Sequence, residues 1–332
     1  MNPKRRIIPV FIPHAGCTHN CVFCDQRHIS GAAAVAEPED IHAAAALADN
    51  SHPTELALYG GSFTALPVIE QNELLLAARP FLEKNPQNSI RISTRPDCID
   101  EATVASLKNH GVATVELGAQ SMCDDVLIKS RRGHTASDVL CAAAIIKNAG
   151  LSLILQMMTG LPGDTCEKSR QTTERFIGLA PDGVRIYPAV VVRETELFEM
   201  WRRGDYGEHT VEDAVSLCAE LCEMFEDAQI PVIRLGLNPT ERLSKGYAAA
   251  GAYHPALGEL VYGRMYLNKA IKALNGAPPG SDVVVSVAKG RAGMMIGHRR
   301  GNIDALTQRF ALRSLKVVED DLEPGMIKIT LK

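Results

Sequence analysis

The sequence predicts an α/β protein: a partial (β/α)6 barrel of the TIM type with a small α+β module at its carboxyl end. Three observations carry this expectation. The 332 residues exceed one small domain but suit a barrel of roughly 200 to 250 residues with an appendage. Six short β-rich runs alternate with stretches of helical apolar spacing, the pattern of parallel strands joined by crossover helices. Cysteines, paired glycines and an Arg-Pro-Asp all follow strands at the same carboxyl end, where barrel loops converge on an active site.

Strand one is read in "IIPVFIP" from Ile7, before a cysteine-rich loop and the helical "PEDIHAAAALAD". Strand two, "ELALYG" from Glu55, runs into "GGSFT" and the helical "VIEQNELLLAARPFLE". Strand three, "SIRIST" from Ser89, ends in "TRPD" ahead of "DEATVASLKNHG". Strand four, "ATVELG" from Ala113, opens into "GAQS", and "SDVLCAAAIIKNAG" supplies the next helix. Strand five, "LSLILQMM" from Leu151, ends in "TGLPGDT", and strand six is "GVRIYPAVVV" from Gly183. Near-continuous apolar strands predict burial on both faces.

After about residue 200 the rhythm loosens into the amphipathic "TVEDAVSLCAELCEMFEDAQ", the strand "IPVIRLGL" and the helix "PALGELVYGRMYLNKAIKAL". A "NGAPPGS" linker precedes strand "DVVVSVAKG", the Gly-rich turn "RAGMMIGHRRGN", helix "IDALTQRFAL", and strands "SLKVVED" and "GMIKITLK". The expected domains are a barrel core over 1–206, an extension completing it over 207–278, and the module over 279–332.

A chain 46% hydrophobic and 22% charged, with a formal charge of -4, reads as globular and not as a wholesale nucleic-acid binder. The opening "MNPKRRIIPVFIP" lacks a signal-peptide pattern, and no run reaches the roughly 18 apolar residues of a membrane helix. Nine cysteines, mostly single and set in apolar segments, predict a reducing cytoplasm without disulfides. Cys218 and Cys222, one helical turn apart, read as core residues.

The exception is "GCTHNCVFC", which gathers Cys17, Cys21 and Cys24. Structural zinc asks for a closed tetrahedron, and the next cysteine is Cys98; a zinc site would need His14, His19 or His28. An iron–sulfur cluster with one open iron explains three ligands directly.

The C-x3-C-x2-C spacing after a first strand, with Phe23 before the last cysteine, resembles the radical S-adenosylmethionine (radical SAM) superfamily. That resemblance implies a [4Fe-4S] cluster on Cys17, Cys21 and Cys24, S-adenosylmethionine on the open iron, and an electron donor such as a flavodoxin or ferredoxin. It also implies that Gly60, Gly61 and Ser62 meet the methionine amino group. "STRPD", "VELGAQSMCDDVL", "RRGHT", "QMMTGLPGDT" and "VRIYPAVVVRETELFEMW" are similar to the radical SAM part of the elongator catalytic subunit, which modifies wobble uridines of tRNA. On that likeness, and a more distant one to oxygen-independent coproporphyrinogen oxidase, Gln120, Arg132 and Gln156 are expected to contact S-adenosylmethionine, with Ser93 facing its ribose and Phe23 beside the cofactors. The elongator subunit has Glu in place of Ser93 and His in place of Gln156, and it carries a further acetyltransferase domain. Complete carboxymethylation by this chain alone is not expected.

Tyr187, Arg234, His254 and Glu259 lie in strings shared with that group and are expected at the substrate end. "MMIGHRRGNI" resembles the GXXG loop of KH modules, which holds nucleic-acid backbone, so Arg299 and Arg300 join the expected substrate contacts. Three functions follow as alternatives: a radical enzyme acting on tRNA or another nucleotide-like substrate, a radical enzyme acting on a small metabolite, or a zinc-binding RNA adaptor. No membrane partner is expected.

Overall fold

A computed structural model describes residues 6–12, 16–17, 19–25, 36–48 and 52–332; His14 and His28 fall outside them. The chain divides into two compact units, Met1–Thr210 with Phe225–Tyr253, and Val211–Met224 with His254–Lys332.

The first unit is built on one seven-stranded sheet ordered β1-β2-β3-β4-β5-β6-β8, curled into a half-barrel. Its strands are β1 (Arg6–Phe11), β2 (Thr54–Tyr59), β3 (Ser89–Thr94), β4 (Val112–Gln120), β5 (Ser152–Thr159), β6 (Gly183–Pro188) and β8 (Val232–Leu235), all parallel to their neighbours. The six expected barrel strands are present, and "IPVIRLGL" supplies the seventh at the edge. The sixth run breaks at Ala189: β6 stops at Pro188, and β7 (Val190–Val192) leaves the sheet to pair antiparallel with β9 (Ala248–Gly251). Proline cannot donate to a ladder, which makes a strand end a natural place for it.

Between the strands run helices Pro38–Ala46, Val68–Ala77, Arg79–Lys84, Glu101–Asn109, Asp124–Lys129, Ala136–Asn148 and Cys166–Leu179. Side-chain oxygens set the starts of three of them. Asp100 accepts from Thr103 N, Thr135 and Asp138 form a reciprocal capping box, and Thr165 accepts from Lys168 N. The stretch expected as one helix from Val68 divides at Ala78, with Pro80 in the first turn of the second piece.

The sheet has two chemically different faces. Leu56, Leu58, Ile90, Ile92, Val115, Leu117, Leu153, Leu155, Val184 and Ile186 are fully buried, and strand alternation puts them on one face. The opposite face carries Glu55, Arg91, Ser93, Glu116, Gln156, Arg185 and Tyr187; Glu55, Arg91 and Glu116 are buried there as well, so this second face is polar but not open to solvent at its centre. Cys218 and Cys222 are buried, as core residues should be.

The second unit holds helix Leu257–Ala273 and a three-stranded sheet ordered β11-β10-β12. Strand β10 (Asp282–Ala288) pairs parallel with β11 (Ser314–Asp320) and antiparallel with β12 (Ile327–Leu331). Helices Ala292–Ile296 and Gly301–Arg309 connect β10 to β11. The first of these replaces the expected continuous turn. Their core joins Val283, Val285 and Val287 to Tyr266, Ala270, Met295 and Leu306.

Candidate active site

The cysteine loop follows β1 and is fastened by its own backbone. Gly16 has φ +69, and a Cβ there would lie 2.2 Å from Ser62 O and 2.9 Å from Leu66 N, so only glycine lets this loop rest on the turn after β2. Val22 N donates to Ser130 O at 3.2 Å, and Leu197 N donates to Val22 O at 2.7 Å. The Val22 side chain is buried with Val191, Leu197 and Tyr206, and half-buried Phe23 packs against that cluster and against the Val126, Leu161 and Ala189 cluster. Tyr247 Oη donates to Asp25 Oδ2 at 2.6 Å, one residue past Cys24. Cys17 is exposed, while Cys21 and Cys24 are half-buried.

Two cations face the thiols. Arg132 Nη1 donates to Cys21 Sγ at 3.1 Å and its Nη2 to Gly118 O at 2.5 Å. Arg95 is braced by Asp97 through Nε to Oδ1 at 3.0 Å and Nη2 to Oδ2 at 2.9 Å, the two-point pairing that suits guanidinium to carboxylate. Although Cys17 as a whole residue is exposed, desolvation by the surrounding loop and turn pushes its thiol up, helped by neighbouring Cys21; Arg132, Arg95 and the Ser62 backbone N–H pull the other way.

Strand β4 ends in an unusual backbone. Gln120 has φ +67, and the register with β5 shifts between Leu117 and Gln120. Two successive carbonyls there are gripped from the "RRGHT" loop: Gly118 O by Arg132, and Ala119 O by His134 Nε2 at 3.1 Å. Burial, then the charge of Arg132, lowers the His134 imidazole to about 4, so it sits there neutral. A Cβ on Gly118 would lie 3.2 Å from Gln120 Nε2 and 3.4 Å from Arg132 Nη2; its absence lets both side chains close over the strand end.

Gln120 and Arg132 are 8% and 7% exposed. Gln120 Oε1 and Arg132 Nε nevertheless have no hydrogen-bond partner among the described residues. A buried acceptor and a buried donor left in this way are costly unless something pairs with them. An amino-acid zwitterion offers the complement, an ammonium donor and a carboxylate acceptor, so these residues fit the methionine end of the expected ligand.

Other expected contacts have additional or different partners. Gly60, with φ +96, turns the chain out of β2, and Gly61 leads to Ser62. The buried Ser62 hydroxyl lies 2.9 Å from Thr94 Oγ1 and accepts from Arg95 N at 3.2 Å, which ties this turn to the end of β3. Gln156 Nε2 donates to Glu116 Oε2 at 2.9 Å. Half-buried Ser93 stands opposite Glu116 in the β3–β4 register.

Glu116 is the hub of the polar face. Its Oε1 accepts from Tyr59 Oη at 3.0 Å, Arg91 Nη1 at 2.7 Å and Arg185 Nη2 at 2.7 Å. Arg91 also holds Glu55 Oε2 through Nε and Nη2 at 3.0 and 2.6 Å. Burial, then the Glu116 charge, pushes the Tyr59 hydroxyl far above its ordinary range. Arg185 Nη1 reaches Tyr187 Oη at 3.4 Å, and Arg185 pairs in register with Arg234, whose Nε donates to Gly236 O at 3.1 Å.

The structure thus gathers Cys17, Cys21, Ser62, Gln120 and Arg132 around the ends of β1 to β4, with Gln156, Tyr187 and Arg234 on the strands beyond. His254, Glu259, Arg299 and Arg300 belong to the second unit. There His254 Nδ1 accepts from Ala256 N at 3.1 Å ahead of helix Leu257–Ala273, and Glu259 is exposed in that helix's first turn. Sequence reasoning missed Arg95, Gly118, His134, Glu116 and Arg185. All five sat inside strings already quoted; Glu116 and Arg185 are charges alternating with apolar residues in their strands, a signal for a polar sheet face. Among the described residues, Cys17, Cys21 and Cys24 included, no three His, Cys, Asp or Glu side chains group as ligands of one ion.

Residues 11–176 match the radical SAM superfamily, and residues 181–267 match the radical SAM C-terminal domain. The tRNA uridine(34) acetyltransferase of Methanocaldococcus infernus is 28% identical over 238 residues, 64% of this chain and 43% of that protein. Human Elongator complex protein 3 is 28% identical over 231 residues, 64% of this chain and 41% of that protein. The chain therefore spans less than half the length of these relatives. Among solved structures, archaeal Elp3 of Methanocaldococcus infernus, lacking its N-terminus, has a TM-score of 0.61 at 22% identity, covering 87% of this chain and 72% of that one. Escherichia coli coproporphyrinogen III oxidase has a TM-score of 0.51 at 18% identity, covering 68% of this chain and 53% of that one. These two share its fold. No helix among the described residues is long and apolar enough to cross a membrane.

Proposed function

Since the chain belongs to the radical SAM superfamily, we propose that it cleaves S-adenosylmethionine reductively at a [4Fe-4S] cluster and acts on tRNA. When bound, the cluster and S-adenosylmethionine supply one-electron cleavage of a sulfonium bond and a 5'-deoxyadenosyl radical that takes hydrogen from the substrate. Cys17, Cys21 and Cys24 hold the cluster as thiolates. Arg132, donating to Cys21 Sγ at 3.1 Å, provides a hydrogen bond to sulfur of the kind that tunes cluster potentials. Its Nε is the donor offered to the methionine carboxylate, and Gln120 Oε1 the acceptor offered to the ammonium group. Gly60 and Gly61 let backbone approach the same end of the ligand, Phe23 keeps the cysteine loop packed, and Ser93 and Gln156 line the polar face toward the ribose.

The observation that carries this reading is the pair of buried, unpartnered atoms Gln120 Oε1 and Arg132 Nε beside a cluster cysteine. The tRNA assignment is supported by the relatives that match over the radical SAM part. Tyr187 and Arg234, on the strands past Gln156, form the substrate end, and a flavodoxin or ferredoxin delivers the electron. Profiling of tRNA nucleosides from cells lacking the protein tests the substrate: a modified uridine should disappear or its precursor accumulate. An unchanged nucleoside profile alongside an altered small-molecule profile would move the reaction to a metabolite.

A further inference from the structure

The second unit carries a basic turn that the chemistry above does not use. Helices Ala292–Ile296 and Gly301–Arg309 meet at "GHRRG", residues 297–301. Gly297 has φ +78, and a Cβ there would lie 2.7 Å from Asn302 Cγ and 2.9 Å from Asn302 N, so the turn closes only with glycine at that place. Asn302, 9% exposed, locks it from behind through Nδ2 to Gly263 O at 2.8 Å and to Met294 O at 3.2 Å. Arg299 and Arg300 both take positive φ, +51 and +66, a conformation that arginine adopts only when its surroundings impose it.

That fixed backbone holds three side chains in solvent. His298, Arg299 and Arg300 are exposed, and their side chains make no hydrogen bond or ion pair among the described residues. At least three of the six carboxylates of this module have other partners. Asp282 is held by Arg313, Asp321 lies 3.9 Å from Lys289, and Glu319 accepts from Gly290 N and Ala292 N. Residues 281–332 hold nine Lys or Arg against six Asp or Glu, a local excess of positive charge to which Arg299 and Arg300 belong. A preset turn between two helices, presenting free guanidinium groups, suits a ligand with regularly spaced anionic oxygens.

We propose that residues 297–301 form a phosphodiester clamp for single-stranded RNA, with Arg299 and Arg300 on successive backbone phosphates and His298 beside them. A glycine-bounded turn between two helices is how KH modules hold backbone nucleotides. This turn has three residues between its glycines where the GXXG loop has two, and the extra basic side chain adds to its phosphate-binding capacity. The proposal rests on the reading that the substrate is RNA, but it places the contact in a different unit from the radical chemistry.

The test is fluorescence anisotropy of the full reconstituted chain with a labelled single-stranded oligouridine and with a tRNA transcript, over a salt series. The variant Arg299→Gln/Arg300→Gln removes both charges without altering the backbone preference. Arg299→Asn/Arg300→Asn repeats the test with a residue that favours positive φ. Lys328→Gln/Lys332→Gln removes the same charge from β12 and the residue after it. Both arginine variants should bind oligouridine at least about tenfold more weakly, with a salt slope shallower by about 1.4, the value for two lost phosphate contacts on a single strand. The lysine variant should bind as the unaltered protein does. Unchanged affinity and slope in the arginine variants, or an equal loss in the lysine variant, would overturn the clamp. Reductive formation of 5'-deoxyadenosine without RNA is measured on the same samples: if the unaltered chain forms none while the arginine variants still lose RNA, the radical reading fails and the clamp stands.

Discussion

Arg132 Nη1 lies 3.1 Å from Cys21 Sγ while the same guanidinium holds Gly118 O through Nη2 at 2.5 Å. One side chain thus ties the cysteine loop to the end of β4, where Gln120 takes its left-handed turn. The tie needs two nitrogens at a fixed angle, which lysine does not have.

Arg132→Lys should therefore leave iron binding near the unaltered level and weaken S-adenosylmethionine. A hydrogen bond to a charged group contributes about 1.5–3 kcal/mol, so KM for S-adenosylmethionine in 5'-deoxyadenosine formation should rise at least about tenfold. An unchanged KM would remove Arg132 from the ligand site.

Glu116 takes four donors, from Tyr59, Arg91, Arg185 and Gln156, and its side chain is fully buried. Glu116→Gln keeps the shape and removes the charge, leaving Arg185 without a carboxylate and Arg91 with Glu55 alone. Losing one partner of a buried ion pair costs about 3–5 kcal/mol. Urea unfolding should show a loss of that order, and a change below about 1 kcal/mol would mean that water, not Glu116, satisfies these arginines.

His134 gives the fold a pH dependence of known sign. Burial lowers its imidazole from 6.5 to about 4, so the unfolded chain takes up the proton first. The stability from keeping this ring neutral is fully present above about pH 6.5 and is lost as pH falls toward 4, reaching about 3 kcal/mol. His134→Gln offers an amide donor to Ala119 O and has no proton to gain. Its urea midpoint should fall less steeply between pH 6.5 and 4 than that of the unaltered protein, and parallel profiles would contradict the assignment.

The strands were legible because their chemistry is local. "SIRIST" is β3 to the residue, and the cysteine, glycine and "RRGHT" loops all fall at carboxyl ends, as strand polarity requires. The polar face was harder to read. Glu55, Arg91, Glu116 and Arg185 lie far apart in sequence, and only the curled parallel register brings them into one network. Ser62 illustrates the same limit: its place after two glycines suggested a ligand contact, yet its hydroxyl is spent on Thr94 and Arg95. His134 was quoted only as part of a motif, because its hold on Ala119 O depends on the bend in β4. The helix Ala292–Ile296 is short and sits in a Gly-rich string, where local propensity favours a turn.

The most direct measurement is anaerobic reconstitution with iron and sulfide, followed by reductant and S-adenosylmethionine. The account predicts about four irons per chain and steady release of 5'-deoxyadenosine, both abolished when Cys17, Cys21 and Cys24 are changed to Ala. A protein that instead retains one zinc, takes up no sulfide and leaves S-adenosylmethionine intact would contradict it.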